Sequence, residues 1–427
     1  MPKKKRVLVY PCGTEIGLEI YRALCFSTKY ELIGGSCNYD HGSFVYKEII
    51  ENLPFITDES GQEEIDCFER AISGFDIDFI YPAMDGVIAT FGKYESRFKE
   101  TLIIPNPKTA SICRSKKQTY LKLKGVVELP HVYTSIDDVK AFPVFVKPDK
   151  GQGAVGARII PDENELRKVD LNKNIVLEYL PGKEYTVDCF TNAEGVLVYA
   201  KGRGRKRIKN GISVNCTFEN NPLFEKIAQA INSVLRQKGG WFFQVKEAKD
   251  GTLKLLEVAA RIAGTSAISR NIGANLPLLT LDLFNGIAIN DVVLNHYNIE
   301  LDRALNNVFR LELAYSNVYI DYDDTVLHGD RINTSVVKFL YQCINNGKRI
   351  VLLSKHAGDL NEALKHYRIN TLFDKVIHLS KDQEKKDYIT SSDSIFIDDS
   401  YGERKAVNSA LQIPVFDTHM IECLMED

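Results

Sequence analysis

Two stretches in which short apolar strands alternate with helical patterns enclose a middle stretch with a different pattern. From Arg6 to about Thr109, the strand-like runs VLVY, ELIGG, FIYPA and TLIIP are separated by amphipathic segments. The same alternation returns from Asn317 to the end of the sequence. Strands that alternate with helices predict parallel sheets, so we expect an α/β domain in each of these stretches.

The middle stretch has the pattern of an α+β domain. Strand-like runs FPVFVKP, IVLEYL, EYTVDCF, WFFQVKEA and TLKLLEVAA are interleaved with helical segments. A chain of 427 residues is also too long for one ordinary core. We therefore predict an α/β domain at 1–110, an α+β domain at 111–308 and a doubly wound parallel sheet at 312–427.

Composition excludes several classes of protein. Hydrophobic residues make up 44% and charged residues 26%, and no apolar run reaches the length of a membrane span. The formal charge of −3 creates no field that would attract nucleic acid or an acidic membrane. Nine cysteines occur singly and without zinc-ligand spacing, which predicts reduced thiols. We expect a soluble cytoplasmic protein with no nucleic-acid or membrane partner; the sequence leaves a homo-oligomer open.

A lysine at a strand end precedes a glycine-rich turn in the middle domain. Lys147 closes the run FVKP, and the turn GQGAVG follows at 151–156. Backbone N–H groups of such a turn can surround phosphate oxygens while the lysine supplies a positive charge. A glycine-rich hairpin beside a surface lysine has the same pattern, so this segment alone does not decide between the two.

Polar residues then interrupt apolar strands further along the middle domain. Glu178 and Glu184 flank a short turn and suit recognition of adenine and ribose by hydrogen bonding in an apolar slot. Gln244 and Glu257 lie on two later strands and offer the oxygen ligands that Mg²⁺ prefers. Each of them taken singly also fits a solvent-facing strand position.

In this order, these residues resemble the ATP-grasp superfamily, in particular the carboxylate-amine ligases related to carbamoyl phosphate synthetase and D-alanine:D-alanine ligase. The resemblance covers about the first 300 residues and implies a pre-grasp α/β domain before the ATP-grasp fold. It implies phosphate binding by Lys116 and Lys147, a lid loop, nucleotide contacts, Mg²⁺ binding by Gln244 and Glu257, and arginines that face the acceptor or the transferring phosphoryl group. The lid is Gly151, Gln152, Gly153, Ala154, Val155 and Gly156, the nucleotide contacts are Glu178, Tyr179, Leu180 and Glu184, and the arginines are Arg203, Arg205 and Arg261.

Two features of the middle domain stay open at this point. The basic stretch from Arg203 to Lys209 also fits a solvated loop. The family usually has asparagine two residues after the metal-binding glutamate, on the same face of the strand, and this sequence has Ala259 there. Either water replaces the missing ligand or a second metal binds weakly.

Two acidic clusters follow apolar strands in the last domain. Asp321 and Asp323 follow NVYI, and Asp398 and Asp399 follow SIFI. Like charges at i and i+2 lie on one face of an extended chain and favour a cation between them. Helix N-caps have the same acidic character, so neither cluster alone identifies a site.

With Ser354 at the end of the strand VLLS and Lys385 before the second acidic cluster, the four motifs resemble the haloacid dehalogenase superfamily. The resemblance covers about residues 315–427 and implies an aspartyl-phosphate nucleophile, Asp321, and an acid-base residue, Asp323. It implies that Ser354 and Lys385 hold phosphoryl oxygens, with Lys381 and Lys386 as rival lysines. The Mg²⁺ site would comprise Asp321, Asp323, Asp398 and Asp399. Short spacing between the motifs predicts a domain without a cap.

The sequence therefore predicts a bifunctional enzyme that uses ATP and Mg²⁺. One domain would join a small-molecule carboxylate to an amine through an acyl phosphate, and the other would hydrolyse a phosphorylated metabolite. One alternative is an ATP-binding sensor or scaffold with a weakened grasp site beside an active phosphatase. Another is a phosphatase for which the grasp domain only recruits the substrate.

Overall fold

Strand and helix alternate through the first hundred residues, as the sequence predicts. The elements are β1 (Lys5–Tyr10), α1 (Glu15–Leu24), β2 (Tyr30–Gly35), α2 (Gly42–Val45), β3 (Glu48–Ile50), α3 (Gln62–Ile72), β4 (Phe79–Pro82), α4 (Asp85–Lys93) and β5 (Thr101–Leu102). The strands form a parallel sheet in the order β3-β2-β1-β4-β5. This computed structural model describes residues 3–151, 153–209, 211–304, 306–309 and 311–426.

The middle stretch contains two sheets whose strands are antiparallel. The first, in the order β6-β9-β7-β8, is small, and the second, in the order β14-β13-β10-β11-β12-β15, is longer. Their elements, with the helices between them, are α5 (Pro107–Arg114), α6 (Lys116–Leu123), β6 (Val132–Tyr133), β7 (Val144–Pro148), β8 (Arg158–Ile160), α7 (Glu163–Leu166), β9 (Asn174–Glu178), β10 (Glu184–Thr191), β11 (Leu197–Lys209), β12 (Ile212–Glu219), α8 (Pro222–Leu235), β13 (Gly239–Glu247), β14 (Leu253–Ala259), α9 (Ala267–Asn271), α10 (Leu276–Phe284) and β15 (Glu300–Asp302).

Local sequence fixes where several of these helices begin. Thr14 caps α1 by accepting a hydrogen bond from the backbone of Gly17. The dipeptides Asn106-Pro107 and Asn221-Pro222 start α5 and α8, with the asparagine side chain as the cap and proline in the first turn. Asparagine satisfies a free N–H group there, and proline has no N–H to satisfy, so both residues favour a helix start.

The first sheet and the longer antiparallel sheet belong to one compact unit, Met1–Leu305. One hydrophobic core contains Val7 and Val9 of β1 together with Phe190 and Tyr199 of the longer sheet and Leu281 of α10. The opposite face of the parallel sheet packs against α3 and α4. The opposite face of the longer sheet packs against α8.

The second compact unit, Asn306–Asp427, contains a five-stranded parallel sheet in the order β20-β19-β16-β21-β22. Apolar side chains pack on both faces of this sheet, as a doubly wound domain requires. A two-stranded hairpin and one helix, α11, lie between the first acidic cluster, Asp321 and Asp323, and Ser354. The elements are β16 (Asn317–Ile320), β17 (Leu327–His328), β18 (Arg331–Ile332), α11 (Thr334–Asn345), β19 (Arg349–Ser354), α12 (Leu360–His366), β20 (Lys375–His378), β21 (Ser394–Ile397), α13 (Tyr401–Leu411), β22 (Val415–Phe416) and α14 (Ile421–Leu424).

The structure also bears on the predictions from composition. All nine cysteines are free thiols. Within the described ranges, no helix combines the length and the apolar character that crossing a membrane requires.

Candidate functional site

Strand register places four of the predicted grasp-site residues on one face of the longer antiparallel sheet. Thr186 of β10 lies opposite Gln244 of β13 and opposite Arg203 of β11. Gln244 in turn lies opposite Glu257 of β14. Residues opposite each other in a sheet share a face, and so do residues two apart on a strand. Glu184, two residues before Thr186, therefore joins this face.

Gln244 and Glu257 form the part of this face that fits a magnesium ion. Their direct pairing brings an amide oxygen and a carboxylate onto neighbouring strands, as the sequence predicted. Mg²⁺ is commonly held by one or two carboxylates together with nucleotide phosphates and water. The donor set therefore suits Mg²⁺ bound together with a nucleotide.

Lys147 connects the small sheet to this face. Its side chain is buried, with 7% exposed, and Nζ donates to the backbone oxygen of Leu256 at 2.7 Å. Tyr120 Oη lies 3.4 Å from the same Nζ. Burial, with a smaller contribution from nearby Lys116, lowers the pKa of Lys147 to about 8, and Glu257 and Glu184 oppose this shift. The electrostatic neighbours of this lysine are thus residues that the sequence assigned to the same site.

Lys116 lies in the first turn of α6, next to the strand end that carries Lys147. Its Nζ donates to the backbone oxygen of Asp149 at 3.4 Å. The Asp149 carboxylate accepts hydrogen bonds from Ser115 and from the backbone of Lys117, which fixes the start of the helix against the end of β7. Both predicted phosphate-binding lysines are therefore held at the same end of the small sheet.

The glycine-rich loop has the backbone conformation of a tight turn. Gly153, Ala154 and Gly156 all have positive φ, and Val155 is exposed. Gln152 lies outside the described residues. A side chain on Gly211, at the turn between β11 and β12, would come within 2.4 Å of both the Gly153 oxygen and the Ala154 Cβ. Two loops from different sheets therefore meet here, and only glycine fits at the contact.

Arg114 anchors the start of the loop. Its guanidinium donates to the carboxylate of Asp58, with the Nε contacts both at 2.9 Å, and to the backbone oxygen of Gly151 at 3.2 Å. Arg114 is not among the predicted site residues. It stands immediately before Ser115 and Lys116 in the sequence, but its partner Asp58 lies 56 residues away, so the local pattern does not indicate the contact.

The residues predicted to contact adenine and ribose lie in the chain segment from the end of β9, in the small sheet, to the start of β10, in the longer sheet. Glu178, at the end of β9, forms an ion pair with Lys254 of β14. Tyr179 is exposed and Leu180 is buried. Glu184 forms ion pairs with Arg205 and Lys246. A nucleotide that used either carboxylate would therefore compete with a lysine or arginine of the chain.

The three predicted arginines are each paired with a carboxylate. Arg203 is only 1% exposed, pairs with Asp188 and donates to Thr265 Oγ1 at 2.8 Å. One of its terminal nitrogens and one Asp188 oxygen have no partner among the described residues. Arg205 also donates to the Gly211 oxygen at 2.7 Å. The beginning of the basic stretch is thus a buried strand face rather than a solvated loop.

Arg261 points toward the parallel sheet of the same unit. Its guanidinium makes a two-pronged contact with Asp85, at 2.9 and 2.7 Å, and lies over the ring of Phe242. Asp85 begins α4, directly after the end of β4. A Cβ on nearby Gly264 would lie only 3.1 Å from a carboxylate oxygen of Glu15. The carboxyl ends of β1 and β4, where a dinucleotide fold binds its ligand, are therefore covered by the 261–264 segment.

Ala259 packs in a small apolar cluster with Phe242 and Ala263, on the same face as Glu257. Replacement of Ala259 by asparagine is expected to supply a further metal oxygen and to lower the Mg²⁺ concentration for half-maximal ATP turnover by about tenfold. The larger side chain must displace apolar neighbours, at a cost of about 1–3 kcal/mol in unfolding free energy. Magnesium titration and thermal unfolding measure the two effects. An unchanged magnesium requirement in a folded Ala259→Asn protein would contradict the missing-ligand interpretation.

The second unit brings three carboxylates together at the ends of two adjacent parallel strands. Asp321 follows β16, Asp398 and Asp399 follow β21, and one oxygen of each lies within 4.8 Å of the others. Lys385 Nζ lies 2.6 Å from both Asp321 and Asp398. Three carboxylates with one ammonium leave an excess of negative charge. This oxygen donor set fits a divalent cation such as Mg²⁺.

Burial determines the protonation of this cluster. It raises the pKa of Asp321 to about 7; Lys385 opposes this rise and Asp398 adds to it. Burial also raises the pKa of Asp398. For Lys385 burial acts in the opposite direction, but the two carboxylates outweigh it and raise its pKa. Of the three candidate lysines, only Lys385 contacts the cluster; Lys386 pairs with Glu384, and Lys381 is exposed.

Asp323 does not join the three carboxylates. β16 ends at Ile320, so the extended alternation that would place Asp321 and Asp323 on one face does not continue beyond the strand. The Asp323 side chain is 47% exposed and contacts the ring of His356. The prediction that its side chain completes the metal site therefore needs correction in this geometry.

Ser354 ends β19, the strand beside β16. Its side chain is fully buried, and Oγ has no hydrogen-bond partner among the described residues. A buried hydroxyl without a partner is costly, so a polar group that binds next to it would be stabilised.

Comparisons with known proteins agree with the geometry of the first unit. A family model described as "ATP-grasp in the biosynthetic pathway with Ter operon" matches residues 170–304. A D-alanine–D-alanine ligase of Clostridium botulinum strain Hall is 29% identical over 178 residues, which cover 36% of this chain and 56% of the ligase. A D-alanine–D-alanine ligase from Bacillus anthracis is 30% identical over 149 residues, which cover 30% of this chain and 47% of the ligase. The chain thus spans about half the length of the curated relatives it matches.

Solved structures show the same fold at low sequence identity. Biotin carboxylase from Campylobacter jejuni, in a complex with a nucleotide, has a TM-score of 0.55 and 13% identity, with 69% of this chain and 74% of that chain covered. N5-carboxyaminoimidazole synthetase from Staphylococcus aureus, complexed with ADP, has a TM-score of 0.55 and 14% identity, with 68% of this chain and 80% of that chain covered. L-amino acid ligase from Bacillus licheniformis has a TM-score of 0.51 and 18% identity, with 66% of this chain and 74% of that chain covered. The family match assigns residues 170–304 to an ATP-grasp domain.

Proposed function

We propose that this chain is an ATP-dependent carboxylate-amine ligase that forms ADP and carries a second, phosphatase activity. The observation that carries the ligase proposal is the position of buried Lys147 beside the paired Gln244 and Glu257. The matched relatives named as D-alanine–D-alanine ligases and the fold neighbour named as an L-amino acid ligase support the same reaction class.

The ligase reaction needs charge stabilisation more than a side-chain nucleophile. A substrate carboxylate oxygen attacks the γ-phosphorus of ATP, and the bond to the β-phosphate oxygen breaks to release ADP. The amine then attacks the acyl carbon, loses a proton and displaces inorganic phosphate. Lys147 and Lys116 would hold the phosphates, and the loop at 151–156 would cover them. Gln244 and Glu257 would hold Mg²⁺, which neutralises phosphate charge when it is bound.

The acceptor substrate would bind beside Arg203 and Arg205, on the buried face of the longer sheet. Arg203 retains an unpartnered terminal nitrogen although its other nitrogens are used. Arg205 is held by Glu184 and by the turn that contacts the glycine-rich loop. These positions suit the stabilisation of negative charge as the phosphoryl group leaves ATP.

For the second unit, residues 312–427, we propose a haloacid dehalogenase-type phosphatase that acts on a phosphorylated metabolite. The observation that favours it is the buried Asp321–Lys385–Asp398 arrangement, together with Ser354 at the end of the adjacent strand, whose hydroxyl has no partner within the described ranges. Asp321 would be the nucleophile, and Asp323 the acid and base. Ser354 and Lys385 would hold phosphoryl oxygens. Asp321, Asp398 and Asp399 would hold Mg²⁺, which offsets the charge of the phosphate.

A second candidate function for the first unit is an ATP-binding sensor or scaffold. It is favoured by Ala259, which offers no oxygen next to Glu257 and leaves Gln244 and Glu257 as the proposed metal pair. The discriminating experiment measures ADP release from ATP and Mg²⁺ with pooled carboxylates and amines, followed by mass spectrometry of the products. We expect ADP release that requires both pools and a product containing both substrates. ATP binding without such release would favour the sensor.

Lys147 also predicts a pH dependence for the ligase. Because burial lowers its pKa to about 8, the free enzyme loses this positive charge as the pH rises through that value. Only the charged form attracts phosphate, so kcat/KM for ATP should fall about tenfold per pH unit above the pKa. A bound nucleotide favours the charged form, so kcat should change less. Replacement by arginine, which keeps its charge, should remove this fall. If the Lys147→Arg protein showed the same fall of kcat/KM at high pH, the fall would belong to another titrating group.

A further inference from the structure

His356 contacts the carboxylate that the phosphatase proposal uses as acid and base. Its Nδ1 lies 2.8 Å from one Asp323 oxygen and 3.0 Å from the other. His356 follows Ser354 by two residues, beyond the end of β19, and β19 lies directly beside β16. The parallel pairing of these strands therefore delivers the histidine to the turn that carries Asp323.

The imidazole ring is fixed by its surroundings. It packs edge to face against the buried ring of Tyr322, with centroids 5.2 Å apart and an interplanar angle of 86°. The backbone oxygen of His356 lies 2.7 Å from Nε2 of His378, at the end of β20. The backbone of Leu379 donates to the Ser354 oxygen at 2.8 Å. The segment that carries the histidine is thus attached to the neighbouring strand on both sides of Lys355.

Asp323 depends on this contact for its orientation. Its side chain is about half exposed, whereas Asp321 and Asp398 are buried and share Lys385. An exposed aspartate without a partner samples several rotamers, and each misplaced rotamer removes it from the reacting atoms. A single partner that contacts both carboxylate oxygens restricts this freedom.

We propose that His356 is a positioning residue that aims Asp323 at the leaving group; this rests on the phosphatase function proposed above. With its proton on Nδ1, His356 donates to one Asp323 oxygen and leaves the other to carry the transferred proton. An Asp321 oxygen attacks phosphorus, the bond to the leaving oxygen breaks, and that oxygen takes the electron pair and the proton from Asp323. Water then attacks the aspartyl phosphate and gives a proton to Asp323, and Asp321 departs with its bonding electrons.

The experiment compares two kinds of substrate in the full chain. An alkyl phosphate has a poor leaving group that needs the proton, whereas 4-nitrophenyl phosphate releases a stable anion and needs it little. We expect His356→Ala to lower kcat/KM for the alkyl phosphate about 10²-fold, with little change in kcat/KM for 4-nitrophenyl phosphate, because kcat/KM reports only the steps up to the aspartyl phosphate. His356→Asn, whose amide N–H can reach the Asp323 oxygen, should recover most of the loss. His366→Ala, at the end of α12, serves as the matched control.

The outcomes separate the inference from the function on which it rests. Equal losses of kcat/KM on both substrates, or no loss on either, in variants with unchanged thermal unfolding would overturn the positioning role. Failure of His356→Asn to recover activity when His356→Ala is impaired would also count against the hydrogen bond. If the unmodified chain hydrolysed neither phosphate, the phosphatase function would be wrong, and the role of His356 with it.

Discussion

Replacement of Lys147 by alanine should reduce ADP formation about 10²- to 10³-fold, since it removes a preorganised positive charge from the proposed, buried phosphate site. The lysine donates to the Leu256 oxygen next to Glu257, the proposed metal ligand, so its loss should affect both the proposed phosphate contacts and the neighbouring strand. Hydrolysis of an aryl phosphate should persist, because Asp321 and its partners lie in the other compact unit. A coupled ADP assay and an aryl phosphate assay on the same preparation give the two rates.

Lys122→Ala is the control for this variant, because Lys122 is exposed on α6 and has no assigned role. It should leave ADP formation unchanged. Thermal unfolding of both variants separates a lost charge from a lost fold. If a folded Lys147→Ala protein lost both activities together, the two phosphate sites would not be independent.

Replacement of Asp321 by asparagine should reduce phosphatase turnover by at least about 10⁴-fold, as expected when a nucleophile is removed from a group of residues that act as a unit. Asparagine has nearly the same shape, and Lys385 keeps Asp398 as an ionic partner, so the fold should be retained. ATP consumption by the first unit should continue. The measurement is hydrolysis of a phosphate ester with and without Mg²⁺, together with ADP release.

The exposed aspartate Asp330, on the hairpin between β17 and β18, provides a matched control. Asp330→Asn makes the same chemical change outside the acidic cluster and should leave turnover unchanged. Persistent phosphatase turnover in Asp321→Asn would show that the nucleophile is assigned wrongly, and the acidic cluster would then be no more than a charged strand end.

Elements with a strong local pattern were predicted well from the sequence. The strand-helix alternation predicted from Asn317 onward is present, and its helices include Thr334–Asn345 and Leu360–His366, because an apolar stripe and an N-cap define each one locally. The run TLIIP was predicted as a strand, but only Thr101–Leu102 pairs with a neighbour. An apolar run shows that residues are buried but not how many of them find a partner strand.

The candidate site was predictable in its residue types but not in its pairings. Gln244 and Glu257 were assigned to neighbouring strands, and the structure places them directly opposite each other. By contrast, Arg261 pairs with Asp85, 176 residues away, and Arg203 with Asp188 on the adjoining strand. Such pairs depend on register and on how sheets pack, which periodicity does not encode. His356 was missed for the same reason, although its position near Ser354 was visible.

The hydrophobic core that β1 shares with the longer antiparallel sheet limits how this chain can be shortened. Deletion of the first 110 residues would leave Phe190 and Tyr199 without the apolar side chains that cover them. Arg261 would also lose its carboxylate partner, Asp85, and would sit unpaired over Phe242. A truncated protein of this kind would expose a contiguous apolar surface and tend to aggregate during expression. Protein production for assays of the first unit should therefore retain the parallel sheet, even though none of the residues assigned to ATP lies within it.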